Sequence, residues 1–411
     1  MLKNRGIGRQ SSRQHKSYLF GLLLGCIYVF DEQINLLVNA NIMGSLLYVL
    51  ATFLFFYHVI LFNKKILSSL IALLVAMSIF SLIAYSSSLG CSIELKGAFS
   101  LLLLWLVVFA IQIAPLAEIV TWNNISKTVL ILVISFVCLD ALGIHLLVSD
   151  RNAGLFYEPS HLAMYVIPFI AYRFLVSNRD LLSWVTVVVL MLIAPNSTFL
   201  VGLVGIFLLW MIKGRHLSHA AGWARIALVS VFIAILLATI DTSSTQERIN
   251  GILEGGQGNT TDSMSALVWL NGWSQAYEYF AATQGLGVGF NQMGCEKFEN
   301  VGAFSPSILA GAGTILNSQD GSFMASKLIS ELGVVGLLLV IFLTFLSIKS
   351  IFYINKCDGA DNAVALARAV GGMCLLSLLF IRCAGYFQLQ VILAFSLLTL
   401  KSPKQVHVTN E

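Results

Sequence analysis

The sequence predicts an all-α polytopic integral membrane protein, and three observations carry that. Of its 411 residues 58% are hydrophobic and only 11% charged, against about 25% charged in a soluble domain. Apolar runs near the ~20 residues that cross a bilayer recur from one end of the chain to the other. Those runs lack the alternation of period two that a transmembrane β-barrel requires. The apolar segment after Ser17 has no convincing small-residue cleavage site, so it is expected to remain as a span.

About twelve transmembrane helices are expected, near 17–30, 42–62, 66–86, 98–116, 128–147, 161–177, 181–195, 197–212, 224–240, 328–348, 363–381 and 386–400. Proline suits the first turn of a helix, so Pro159 is expected to start the sixth. The stretch 181–212 is too long for one ordinary span and is read as two short ones, with Pro195-Asn196-Ser197-Thr198 as the turn. Charge sets the orientation. Of the 24 basic residues, six (Lys96, Arg151, Arg248, Lys297, Lys327 and Arg382) then fall outside and 18 inside, with both termini in the cytoplasm. The chain divides into spans one to nine (1–240), a large outer loop (241–327), and the last three spans with a cytoplasmic tail (328–411).

That loop is more acidic than basic. It carries Gly251, Gly255, Gly256 and Gly258, then a segment in which Met264, Leu267, Trp273, Ala276, Tyr277 and Phe280 recur at three- and four-residue steps. The spacing predicts an amphipathic helix with that stripe against an apolar surface. The seven cysteines show no metal-ligand spacing, and most lie in or beside apolar runs as small hydrophobes. A net charge of +4 gives no reason to expect nucleic acid, and no metal or cofactor motif is visible.

Three outer clusters could carry chemistry. The first is Arg151 followed by Glu158-Pro159-Ser160-His161. A helix N-terminus at Pro159 favours an anion, Arg151 would bind a phosphate, and Glu158 could accept a proton or orient a hydroxyl. The same pair could instead form a local salt bridge. The second is Arg248 with the glycine-rich Gly285–Asn291, which allows close backbone approach or is an ordinary loop. The third is Asn317–Phe323 with Lys327 and Glu331. Asp320 is a second candidate carboxylate or a capping residue. Glu331 lies about one turn inside the apolar boundary, where acids are usually paired or functional, and Lys327 is its simplest partner. Arg382 is a third outer arginine, for a diphosphate or for lipid headgroups. His145 and His161 read as boundary histidines, and Asp140 as a hydrogen-bonded packing residue inside the fifth span.

In this order and on one face, these motifs resemble the O-antigen polymerase family, within the wider group that includes the O-antigen ligases. The resemblance rests on Arg151-x-x-Gly154-x-x-x-Glu158-Pro159-Ser160, the Pro195–Ser197 turn and Arg248 ahead of a Trp-containing helix. It rests also on Gly285–Asn291 and Asp320-Gly321-Ser322-Phe323 with Glu331-x-Gly333-x-x-Gly336. It implies a metal-independent, inverting glycosyl transfer at the periplasmic face of the inner membrane, with no cofactor. A growing glycan passes from undecaprenyl diphosphate onto an undecaprenyl-diphosphate-linked repeat unit, and a chain-length-regulating co-polymerase is an expected partner. On this resemblance Arg151, Arg248 and Arg382 bind the diphosphate, and Glu158, then Asp320, serves as base or orients the acceptor. Ligase-type members are expected to carry a histidine late in the outer loop, and 241–327 has none. A flippase or other transporter would need polar groups deep along a path, and Asp140 is the main acidic residue so placed.

Overall fold

The computed structural model describes residues 18–38, 43–60, 75, 78–79, 82, 91, 100, 119–144, 153–156, 158–176, 180–213, 264–298, 301–312, 316–356, 360–383 and 385–400. Regular structure among them is entirely helical. In chain order the main helices are α1 (Tyr18–Val29), α2 (Asp31–Val38), α3 (Met43–Ile60), α4 (Ile119–Ala141), α5 (Pro159–Val176) and α6 (Leu181–Ile193). There follow α7 (Ser197–Lys213), α8 (Met264–Ala282), α9 (Ser305–Ala312), α10 (Met324–Phe352), α11 (Ala360–Phe380) and α12 (Leu389–Leu398). Among the described residues, four helical stretches, within α4, α5, α10 and α11, are long and apolar enough to cross a membrane. Shorter apolar helices stand at α1, α6, α7 and α12. The expected spans 66–86, 98–116 and 224–240 fall almost wholly outside the described residues.

α5 is the central post, with most of its side chains buried. At its upper end, the end that carries Pro159, the carbonyl of Pro159 accepts from Asn196 Nδ2 at 3.0 Å. At its lower end Phe174 meets Trp184 of α6 at 5.2 Å and Phe207 and Trp210 of α7 at 6.4 Å. The chain therefore rises along α6, reverses at Ala194–Asn196 and descends along α7, as expected for two short helices. Asn196 makes the reversal by capping α7: its Oδ1 accepts from Phe199 N at 2.8 Å, satisfying one of the orphan donors of a helix start.

α10 and α11 run antiparallel, joined through a 3-10 turn at Tyr353–Lys356. Small residues set their separation: a Cβ on Gly372 would sit 2.7 Å from Ser347 O, and one on Gly371 2.8 Å from Ala394 O of α12. Close backbone approach of this kind substitutes for the hydrophobic drive that apolar surroundings remove. α10 bends sharply at Gly333 (φ 55°, ψ −126°). The 19 residues beyond the bend (334–352) cover about 28 Å at 1.5 Å per residue, close to a hydrocarbon core of ~30 Å.

One sequence expectation needs correction. Tyr277 is 74% exposed and does not lie on the packed face of α8, which runs through Val268, Asn271, Gln275 and Tyr279. Two of these are polar because they hold the returning chain: Gln275 Nε2 donates to Val301 O at 3.1 Å, and Asn271 Oδ1 accepts from Phe304 N at 3.1 Å. A period-based stripe counts only apolar residues and so misplaced the face. Glu331 lies, as expected, within the candidate span Met324–Phe352, two residues before the Gly333 bend.

Candidate functional site

The upper end of the bundle collects groups far apart in sequence. Cys383 N donates to Ser322 O at 2.9 Å, joining the exit of α11 to the start of α10. Trp269 Nε1 of α8 donates to Phe380 O at 2.8 Å. At the head of α4 Asp140 is buried and its Oδ2 accepts from Gly154 N at 2.9 Å, the packing role expected of it.

Two charged clusters stand at this end. In the first, Arg382 just beyond α11 reaches the start of α5. Its Nη2 lies 3.1 Å from Glu158 Oε2 and 2.8 Å from His161 Nε2, and its Nη1 donates to Ser160 Oγ at 3.0 Å. Ser160 Oγ donates in turn to Glu158 Oε2 at 2.9 Å. His161 Nδ1 lies 2.7 Å from Glu32 Oε1 at the start of α2. Next to Glu32, buried Asp31 accepts hydrogen bonds from Tyr165 Oη and from Asn35 Nδ2. Partial burial opposes ionisation of Glu158, but the Arg382 charge, the Ser160 hydroxyl and His161 outweigh it and hold the carboxyl below its ordinary value. The Arg382 and Glu158 side chains keep 35% and 51% of their surface exposed, so an incoming ligand can reach both.

Directly below runs an apolar groove between α5, α7 and α11. It is narrow and is lined by Met164, Pro168, Thr198, Val201, Ser377 and Ile381 among others. Ile381 is the neighbour of Arg382, and Met164 lies one turn below His161, so the groove lies close beneath the cluster.

The second cluster is sealed. Glu331 is fully buried and 3.1 Å from Lys327 Nζ, the partner expected for it. Its Oε2 accepts from Asn291 N at 2.7 Å and from Tyr386 Oη at 2.8 Å. Lys327 Nζ also donates to Gln319 O at 2.6 Å. The glycine-rich loop is clamped here. Gly289 N donates to Glu331 O at 3.0 Å, Val288 N to Ser330 O at 3.0 Å, and Val334 N to Gly285 O at 2.8 Å. The bend at Gly333 frees these carbonyls, and a Cβ at Gly287 (φ +78°) would sit 2.4 Å from Glu331 O. The loop 285–293 is thus a structural clasp on α10. The Cys91–Cys295 disulfide ties Cys91 to the chain just after this loop. Cysteine spacing gave no sign of that pairing; Cys26, Cys138, Cys374 and Cys383 remain thiols.

Of the sequence-derived site residues, the structure joins Glu158 and Arg382 directly. Asp320 is partly exposed in the turn before α10, with its N–H donating to Asn317 O at 3.2 Å. It lies close enough to Cys383 that its charge adds to burial in pushing that thiol up to about 12. Arg151, Arg248 and His145 lie outside the described residues. Sequence reading missed Glu32, and it passed over His161 as a boundary residue. The signal for Glu32 was Asp31-Glu32 standing at the end of the first apolar run. Among the described residues no group of three or more His, Cys, Asp or Glu is placed to hold a metal. No family model matches the chain, and no curated protein matches it.

Proposed function

We propose that the chain is a polysaccharide polymerase of the bacterial inner membrane. It transfers a growing glycan from undecaprenyl diphosphate onto the repeat unit carried by a second undecaprenyl diphosphate, at the periplasmic face. The observation that carries the reading is the accessible Arg382–Glu158 pair standing above an apolar groove. A lipid-linked diphosphate is an amphiphile of matching polarity: its anionic head suits the guanidinium, and its isoprenoid chain suits the apolar surface below. As the sugar–diphosphate bond breaks, charge grows on the leaving group, and arginines aimed at it stabilise that charge without a metal or cofactor.

In this reading Arg382, with Arg151 and Arg248, receives the diphosphate. Glu158 steers Arg382 and the acceptor hydroxyl, and Asp320 is the second carboxylate of the site. About twelve spans with both termini inside put the upper end of the bundle in the periplasm. Two features support that side. A disulfide at this end belongs in an oxidising compartment. Arg173 and Lys213 gather at the opposite end, where Arg173 pairs with Asp180 and Lys213 Nζ donates to Leu175 O.

The test is complementation of a host that lacks its own polymerase but makes the matching repeat unit. Wild type should give a ladder of polymer lengths, whereas Arg382→Ala, Arg151→Ala and Arg248→Ala should each leave lipopolysaccharide capped with a single unit at normal expression. Arg→Lys at these positions should fail as well if bidentate phosphate contact is required. Full ladders from all three alanine variants would overturn the diphosphate assignment. A purified chain that moves lipid-linked units across vesicles without forming glycosidic bonds would make it a transporter.

A further inference from the structure

His161 is held on both sides of its ring. Nδ1 faces Glu32 Oε1 at 2.7 Å, and Nε2 faces Arg382 Nη2 at 2.8 Å. A guanidinium offers donors only, so Nε2 must present its lone pair. The ring proton then sits on Nδ1 and is donated to Glu32. This fixes one neutral tautomer, with a basic nitrogen directed at Arg382, Ser160 and Glu158. A carboxylate that orients an imidazole and compensates the charge it acquires is the arrangement of an activated base. Glu32 and His161 come from α2 and α5, 129 residues apart, and their side chains are 14% and 27% exposed. The pair is therefore set into the wall of the site, not loose on its surface. Glu158, by contrast, is engaged by Arg382 and Ser160 in its ionised form, which makes it a weak proton acceptor.

We infer that His161, positioned by Glu32, is the general base that deprotonates the acceptor sugar, with Arg382 covering its lone pair until an anionic donor arrives. This rests on the glycosyl-transfer reading and adds to it a residue that reading leaves out. When the donor diphosphate draws Arg382 towards itself, Nε2 is exposed to the acceptor hydroxyl. The hydroxyl proton moves to Nε2 as the oxygen bonds to the anomeric carbon of the donor. The bond from that carbon to the diphosphate oxygen breaks, and its electron pair leaves with the diphosphate. The imidazolium so formed lies between the Glu32 carboxylate and the site and returns its proton to water once the products part. Among the described residues, Glu32, Glu158 and Arg382 are the charged groups that face the ring.

The experiment uses the purified full chain in proteoliposomes with a polyprenyl-diphosphate-linked oligosaccharide as both donor and acceptor. His161→Ala and His161→Gln should lower kcat by about 10²–10⁴-fold, with the donor KM within about threefold. Added imidazole should restore at least about tenfold of the rate to His161→Ala, because it replaces the missing base. Glu32→Gln should reduce kcat by about 10–100-fold, and Glu32→Asp should recover much of it, since the carboxylate acts through orientation. Wild-type activity with both His161 variants above half of normal kcat would overturn the inference and leave the reaction standing. So would a loss that imidazole does not rescue in a variant whose thermal melting matches wild type. A wild-type chain that forms no glycosidic bond would overturn the reaction itself, a distinct result.

Discussion

Glu331 and Glu158 show how differently one residue type can be used within a few helices. Glu331 is sealed against Lys327, Tyr386 and the amide of Asn291. Glu331→Ala would leave the Lys327 charge buried without its partner, a loss of about 3–5 kcal/mol; the detergent-solubilised protein should melt well below wild type. Glu158 is half exposed, so its pair with Arg382 contributes little to stability, and Glu158→Gln should melt close to wild type. The pH behaviour follows from the same residues. Glu158 and Asp180 both have folded carboxyls below their ordinary values of 4.5 and 3.8. Burial opposes ionisation in each, and their arginines and hydroxyls prevail. Depressed values mean that stability is present above the unfolded pKa and is lost as pH falls through the folded one. Melting should thus be flat from pH 8 to 5 with respect to these two groups and should decline below about 4.5, where unpaired carboxylates begin to protonate. Arg382→Gln should remove the Glu158 share of that decline. An identical acid limb in the variant would show that the ion pair does not form.

At the scale of elements, the bend in α10 decides where the clasped loop sits. Gly333 has φ +55°, and a Cβ there would lie 1.9 Å from Gly285 O. Gly333→Ala is expected to destabilise by more than about 3 kcal/mol, combining left-handed strain with displacement of the clasped loop, and the check is the melting midpoint of purified protein. Asn196→Ala should cost about 1 kcal/mol for the cap alone, read the same way, and should leave the α6–α7 reversal in place. Much of this was legible in sequence. Pro159 begins α5, Pro195–Asn196 breaks the 181–212 stretch, and Lys327 pairs with Glu331, because each is decided by local chemistry within a turn or two of helix. The bend at Gly333 was not legible, since its cause is a loop some 40 residues upstream (Asn291 to Glu331). Nor was the packed face of α8, where polar Asn271 and Gln275 point inward to hold a distant segment. Glu32 and His161 meet only because the fold brings the start of α2 to the start of α5, and no spacing encodes that.

For the whole molecule, the arrangement of charge and sulfur makes a claim about sides. The Arg382 cluster and the Cys91–Cys295 bridge belong to the upper half, and Arg173, Asp180 and Lys213 to the other. If the proposed orientation holds, a membrane-impermeant thiol reagent applied to spheroplasts should label Cys91 and Cys295 only after reduction. Labelling of either without a reductant, or only after the membrane is opened, would reverse the topology or dissolve the bridge. The bridge also has a consequence in time. Its two cysteines are 204 residues apart, so at about 5–20 residues per second the ribosome delivers the second roughly 10–40 seconds after the first. In the proposed orientation, Cys91 stands throughout that interval as an unpaired thiol on the oxidising side, while its partner cysteine is still being made. Closure of the bridge is therefore a late event in biogenesis, and its oxidised form marks chains whose distant halves have already found each other.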